Sequence, residues 1–165
     1  MIPVQVLAVQ YLANASPGLC AGLGIPPGFP SLAMLTTDCD DATYIALDAA
    51  TKAAEVEAAY ARSFYAGSAN ASTPNAGEVI GILAARTPDA ARSGMEAVLR
   101  TLEQVGFEDL DGVPCLAHTV SSVGSFLAAE AGVPLGSAVA YLIAPPLEAM
   151  FALDEALKAA DVILA

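Results

Sequence analysis

The chain has 165 residues, 56% of them apolar and only 15% charged, with 18 Asp and Glu against 6 Lys and Arg for a net charge of -12. That apolarity excludes a disordered chain, which combines low hydrophobicity with dense charge. The negative balance excludes nucleic acid and anionic membrane surfaces as partners, because both repel it.

Residues 3–12 read as a strand, 16–23 as a short helix, and Gly24-Ile25-Pro26-Pro27-Gly28 as a turn. The apolar run 31–37 reads as a second strand, ending at an acidic knot of Asp38, Asp40 and Asp41 where a helix start takes oxygen caps and negative charge. Helical spacing over 41–54 follows, with Asp48 and Lys52 as a favourable i,i+4 pair. Residues 55–65 and 78–86 read as two strands around a polar loop at 67–77. A helix start then stands out, with Thr87 as cap, Pro88 at the first position, and Met95, Val98, Leu99 and Leu102 as the buried stripe.

From there the pattern repeats. Ala46–Val56, ALDAATKAAEV, aligns with Ala152–Val162, ALDEALKAADV, at an offset of 106, with 8 of 11 positions identical; chance alone gives about one. Upstream the offset becomes 108, where Gly24–Gly28 matches Gly132–Gly136 and the strand around Leu7–Val9 matches that around Leu116. The chain is therefore a tandem duplication of an α/β unit, divided as 1–106 and 107–165. The second copy is incomplete at its C-terminal end, so a strand beginning near Asp161 is expected to expose an unpaired edge. With 36 alanines and sparse charge, the chain has little polar material to coat an isolated globule, which favours burial against other subunits.

Prolines and glycines break the uncharged stretches 1–37 and 131–147, and no run reaches the roughly 18 apolar residues of a spanning helix. Met1–Gln5 contains no Lys or Arg, as a signal peptide would, so a cytoplasmic location is expected. Cys20, Cys39 and Cys115 are odd in number and lack a CxxC spacing, which suits reduced thiols. No enzyme constellation is present. The single histidine, His118, sits in an apolar strand pattern, no GxSxG elbow accompanies Ser121, Ser122 and Ser125, and no cofactor motif occurs. Two carboxylate clusters remain: Asp38, Asp40 and Asp41, and Glu108, Asp109 and Asp111. Each reads either as a helix cap or solvated loop, or as the lining of a cation-accepting depression. Neither has the spacing of a calcium loop, and no metal is expected.

The stretch from Asp40 to Ala84, DDATYIALDAATKAAEVEAAYARSFYAGSANAS followed by GEVIGILA, resembles the EutL-type shell proteins of ethanolamine-utilisation bacterial microcompartments, as does AYLIAPPLEAMFALDEALKAADV at 140–162. The resemblance implies tandem permuted microcompartment domains, each an antiparallel sheet flanked by helices. It implies a structural, non-enzymatic subunit that forms homotrimers imitating a hexagonal tile and packs with other shell proteins. It also implies a small pore in each subunit for a small cationic metabolite, ethanolamine, and a gated opening on the trimer axis. Carried over residue by residue, the small-pore ligands fall on Asp40, Glu78 and Phe107, two carboxylates and an aromatic face suited to an ammonium ion. The stretch 105–113 is shorter than the family pattern, and Ser122 stands where the family commonly has Arg. The alternative is an amine-binding module that no longer tiles.

Overall fold

Ser31–Thr37 and Val79–Ala85 are apolar without alternation, the pattern of strands covered on both faces. The computed structural model describes residues 1–63 and 79–164. Its first half holds β1 (Ile2–Pro3), β2 (Val6–Leu12), α1 (Pro17–Leu23), β3 (Ser31–Thr37), α2 (Asp40–Ala53), β4 (Val56–Ser63), β5 (Val79–Ala85) and α3 (Pro88–Leu102). The second half holds β6 (Gly106–Leu110), β7 (Val113–Val120), α4 (Ser125–Ala131), β8 (Val139–Ile143) and α5 (Pro146–Ala159). The expected loop at 67–77 and Glu78 lie outside the described residues.

The fold is the expected mixed α/β architecture, two antiparallel four-stranded sheets flanked by helices, with strand orders β2-β3-β5-β4 and β1-β6-β7-β8. In the first sheet the central strands β3 and β5 send alternate residues to opposite sides. Ala33, Leu35, Leu83 and Ala85 join the main core with α2 and α3, while Leu32, Ile82 and Ala84 form a smaller core with Ala15 and Ile25 around α1. Leu83 is fully buried, so its truncation to Ala costs about 2–5 kcal/mol. Helix α3 starts as its sequence indicates: the Thr87 hydroxyl accepts from the Ala90 N–H, and Pro88 follows. Its Gly94 lets it lie close to the sheet, since a Cβ there would come within 2.8 Å of a Val56 methyl.

The duplication reappears in the backbone. Gly24 and Gly132 end α1 and α4 in the left-handed conformation, with φ of 68° and 65°, and Gly28 and Gly136 follow at 85° and 83°. Ile25 N donates to the Cys20 carbonyl and Val133 N to the Ala128 carbonyl, at 2.9 and 3.0 Å. The hairpin β2–α1–β3 is thus matched by β7–α4–β8, both antiparallel.

Two expectations are corrected. The stretch carrying Glu108, Asp109 and Asp111 is not a free loop: Phe107 pairs with Ile2 of β1 and Glu108 with Cys115 of β7, so 106–110 is strand β6. Residues 161–164 form no strand, because β4 of the first copy exists by pairing with β5, and no equivalent of β5 stands there among the described residues. Among the described residues the edge strands of the second sheet are β1 and β8. The expected i,i+4 pair of Asp48 and Lys52 is present, and its aspartate lies inside the fold. Asp48 is wholly buried and accepts from Gly124 N at 2.8 Å and Leu127 N at 2.9 Å, while Lys52 Nζ pairs with it at 3.0 Å and donates to the Ser122 carbonyl at 2.8 Å. Helix α4 has no side-chain cap of its own at Gly124, and Asp48 supplies one from the other half of the chain.

Candidate functional site

The acidic knot after β3 is set by a buried hydroxyl relay. Thr43 Oγ1 donates to the Cys39 carbonyl at 2.8 Å, Thr37 and Thr43 hydroxyls meet at 2.7 Å, and Cys39 N donates to Thr37 Oγ1 at 3.2 Å. These bonds hold the turn into α2, for which Cys39 is the N-cap without a side-chain bond. None of the three aspartates is therefore the cap. Asp38 instead accepts from Gln5 N at 2.8 Å, tying β2 to the turn, and Asp40 and Asp41 occupy the first turn of the helix, where the backbone N–H ends favour negative charge.

Asp40 begins a chain of hydrogen bonds across the sheet. Its Oδ1 accepts from Asp41 N at 2.9 Å and its Oδ2 accepts from the Ser63 hydroxyl at 2.8 Å, and Ser63 Oγ in turn lies 2.6 Å from Tyr44 OH. Because Ser63 gives its proton to Asp40, Tyr44 donates to Ser63. The Tyr44 ring meets Phe126 of α4 edge-on, with centroids 5.7 Å apart, so the network touches the second half of the chain. Tyr141 on β8 feels it too. Burial first, then the charges of Asp41, Asp48 and Glu130 and the Tyr44 group, push its hydroxyl up to about 12. Burial and then the neighbouring Asp40 raise the Asp41 carboxyl above the usual carboxylate range. No Lys, Arg or His among the described residues makes an ion pair with Asp40 or Asp41. The region is therefore a negative patch without a cationic partner among the described residues, able to attract a cation. The counterparts of Asp40 and Asp41 at the offset of 106 are Pro146 and Leu147, so the acidic pair occurs once per chain.

Of the three expected ligands, Asp40 lies in this network, Glu78 falls outside the described residues, and Phe107 lies on β6, half-buried against the main core. No hydrogen bond or ring contact joins Phe107 to Asp40 among the described residues. Glu108, Asp109 and Asp111 do not form a metal site: Asp109 closes the β6–β7 turn by accepting from Gly112 N at 2.6 Å, and no cluster of metal-ligating side chains occurs among the described residues. His118 is a half-buried strand residue opposite Tyr141. Sequence reasoning missed Ser63, Phe126 and Tyr141. Only Tyr44 carried a local signal, one helical turn beyond Asp40.

No family model matches the chain. The bacterial microcompartment shell protein EutL of Clostridium perfringens is 54% identical over 98% of this chain and 76% of its own length. The chain belongs to the EutL family of shell proteins. EutL of Escherichia coli is 43% identical over the whole chain and 77% of its own length. The crystal structure of the ethanolamine utilization protein EutL from Leptotrichia buccalis superposes with a TM-score of 0.89 at 49% identity, over 97% of this chain and 76% of that one. The trimeric shell protein PduB shares the fold, with a TM-score of 0.75 at 16% identity over 93% of this chain and 68% of its own. The EutL-type chain is thus a structural shell protein of the ethanolamine-utilisation class and not an enzyme. No helix among the described residues is long and apolar enough to cross a membrane.

Proposed function

We propose that this EutL-type chain assembles as a homotrimer, whose six similar units, 1–106 and 107–165 from each copy, imitate one hexagonal tile. Tiles join other shell proteins around a microcompartment in the cytoplasm, and a small pore in each subunit passes a small cationic amine, ethanolamine. Asp40, Glu78 and Phe107 are its contacts. An ammonium group pairs with the carboxylates and lies against an aromatic face, and the alcohol of the same molecule donates to a carboxylate oxygen.

The observation that supports this reading is the Asp40–Asp41 pair. Two adjacent half-buried carboxylates without a cationic partner among the described residues strain against each other, and a bound ammonium ion relieves both. Calorimetry with ethanolamine tests it. The chain is expected to bind, and Asp40→Asn to weaken binding by about 10- to 100-fold, the worth of one hydrogen bond to a charged group. Equal affinities for the two proteins, or no heat with either, would overturn the pore assignment. Native mass spectrometry tests the tile: a trimer is expected at micromolar concentration, and a strict monomer refutes it.

A further inference from the structure

Asp40 is held at its two oxygens by two different elements. Its Oδ1 accepts from Asp41 N at 2.9 Å within α2, and its Oδ2 accepts from the hydroxyl of Ser63, the last residue of β4, at 2.8 Å. A carboxylate oxygen has two acceptor positions, so one stays open on each. Ser63 is exposed and β4 is an edge strand of its sheet among the described residues, so water competes for this hydroxyl. Tyr44 holds it against that competition. Its phenol oxygen lies 2.6 Å from Ser63 Oγ, and its ring stands one helical turn beyond Asp40 on the same face of α2, braced edge-on by Phe126 of α4.

We propose that Tyr44 and Ser63 are positioning residues of the amine site: the Tyr44 phenol fixes the Ser63 hydroxyl, which fixes the Asp40 carboxylate with one acceptor position of each oxygen left for a primary ammonium ion. This deepens the amine-site reading and rests on it. The bonds run one way, from phenol to hydroxyl to carboxylate, and each donor polarises the next. A carboxylate oriented before the ligand arrives spares the complex that ordering. The duplication supplies an independent observation. At the offset of 106 Asp40 becomes Pro146 and Tyr44 becomes Met150, whereas Asp48 and Lys52 recur as Asp154 and Lys158. The phenol therefore goes with the acidic site and not with the helix.

Ethanolamine titrations followed by NMR test the assignment with variants that keep the packing. Tyr44→Phe retains the ring against Phe126, and Ser63→Thr retains the hydroxyl. Tyr44→Phe and Ser63→Ala are each expected to weaken binding by about 2- to 10-fold, the worth of one hydrogen bond. The double variant is expected to bind no more weakly than Ser63→Ala, because Tyr44 acts through Ser63, and Ser63→Thr to bind as the unchanged chain does. Added to Asp40→Asn, Tyr44→Phe is expected to have no further effect. Binding that falls with Asp40→Asn but with neither Tyr44→Phe nor Ser63→Ala overturns the positioning and leaves the amine site standing. A Tyr44→Phe loss that persists beside Asp40→Asn, or a Ser63→Thr chain as weak as Ser63→Ala, also overturns it, since the effect then runs through the fold. Equal binding by the unchanged chain and Asp40→Asn overturns both.

Discussion

Asp48 and Asp154 occupy equivalent positions on two copies of one helix, each four residues before a lysine. Asp48 is buried and holds two backbone amides of the opposite half of the chain, whereas Asp154 pairs with Lys158 and Glu155 stands beside it in solvent. An ion pair in water gains little, because its charges are screened and its side chains lose freedom. The same pair in an interface has given up its hydration, so its hydrogen bonds must all be made. The same four-residue spacing thus has two roles, and the neighbour decides which one is played.

The sharpest way to break this contrast is truncation of each aspartate. In urea unfolding of the dissociated chain, Asp48→Ala is expected to cost about 3 kcal/mol or more, because two buried N–H groups and Lys52 lose their acceptor. Asp154→Ala is expected to cost less than about 0.5 kcal/mol. Equal losses would show that the internal contact carries no special weight. Next in size is the paired glycine: Gly124→Ala forces a Cβ against Thr51 and the Asp48 carbonyl and is expected to cost about 1–3 kcal/mol. Its counterpart Ser16→Ala loses only a long capping bond, about 0.5–1 kcal/mol by the same denaturation.

A smaller effect separates the two helix starts, which carry Asp40-Asp41 in α2 and Pro146-Leu147 at the equivalent positions of α5. The folded Asp41 carboxyl lies above its unfolded value, so the folded chain binds this proton more tightly. Its contribution is therefore unfavourable above the raised value and fades as the pH falls toward the unfolded value of 3.8. Asp41→Asn is expected to raise Tm at pH 7 and to lose that advantage toward pH 4. An advantage that grows on acidification would reverse the assignment. The smallest effect is chemical. Burial first, and then the three neighbouring aspartates, push the Cys39 thiol up to about 11 against one lowering backbone bond, while Cys20 and Cys115 are half-buried. Maleimide at pH 8 should therefore modify Cys20 and Cys115 first and Cys39 only on unfolding.

Much of this was legible from residues alone. The repeat was visible because its marks are local: glycines at positive φ ending each short helix, and a helix whose alanines and Asp–Lys spacing recur. Asp40 was placed at a helix start for the same reason. Ser63, Phe126 and Tyr141 were not legible, since they reach the acidic knot from β4, α4 and β8, and no short-range pattern records such a meeting. Strand β6 was hidden by its own acids. Glu108 and Asp109 read as a solvated loop, and only pairing with β1 and β7 makes them strand residues.

Residue order alone carried most elements of the first copy, their duplication, the family and the paired aspartates at the start of α2, because each follows from spacing within a few residues or from matching words along the chain. Tertiary structure alone decided which copy of the Asp–Lys pair is buried, and which side chains gather around Asp40. Desolvation and hydrogen-bond completion belong to the neighbourhood of a group and not to its identity. A carboxylate in water and one beneath a helix are therefore the same letter with different free energies.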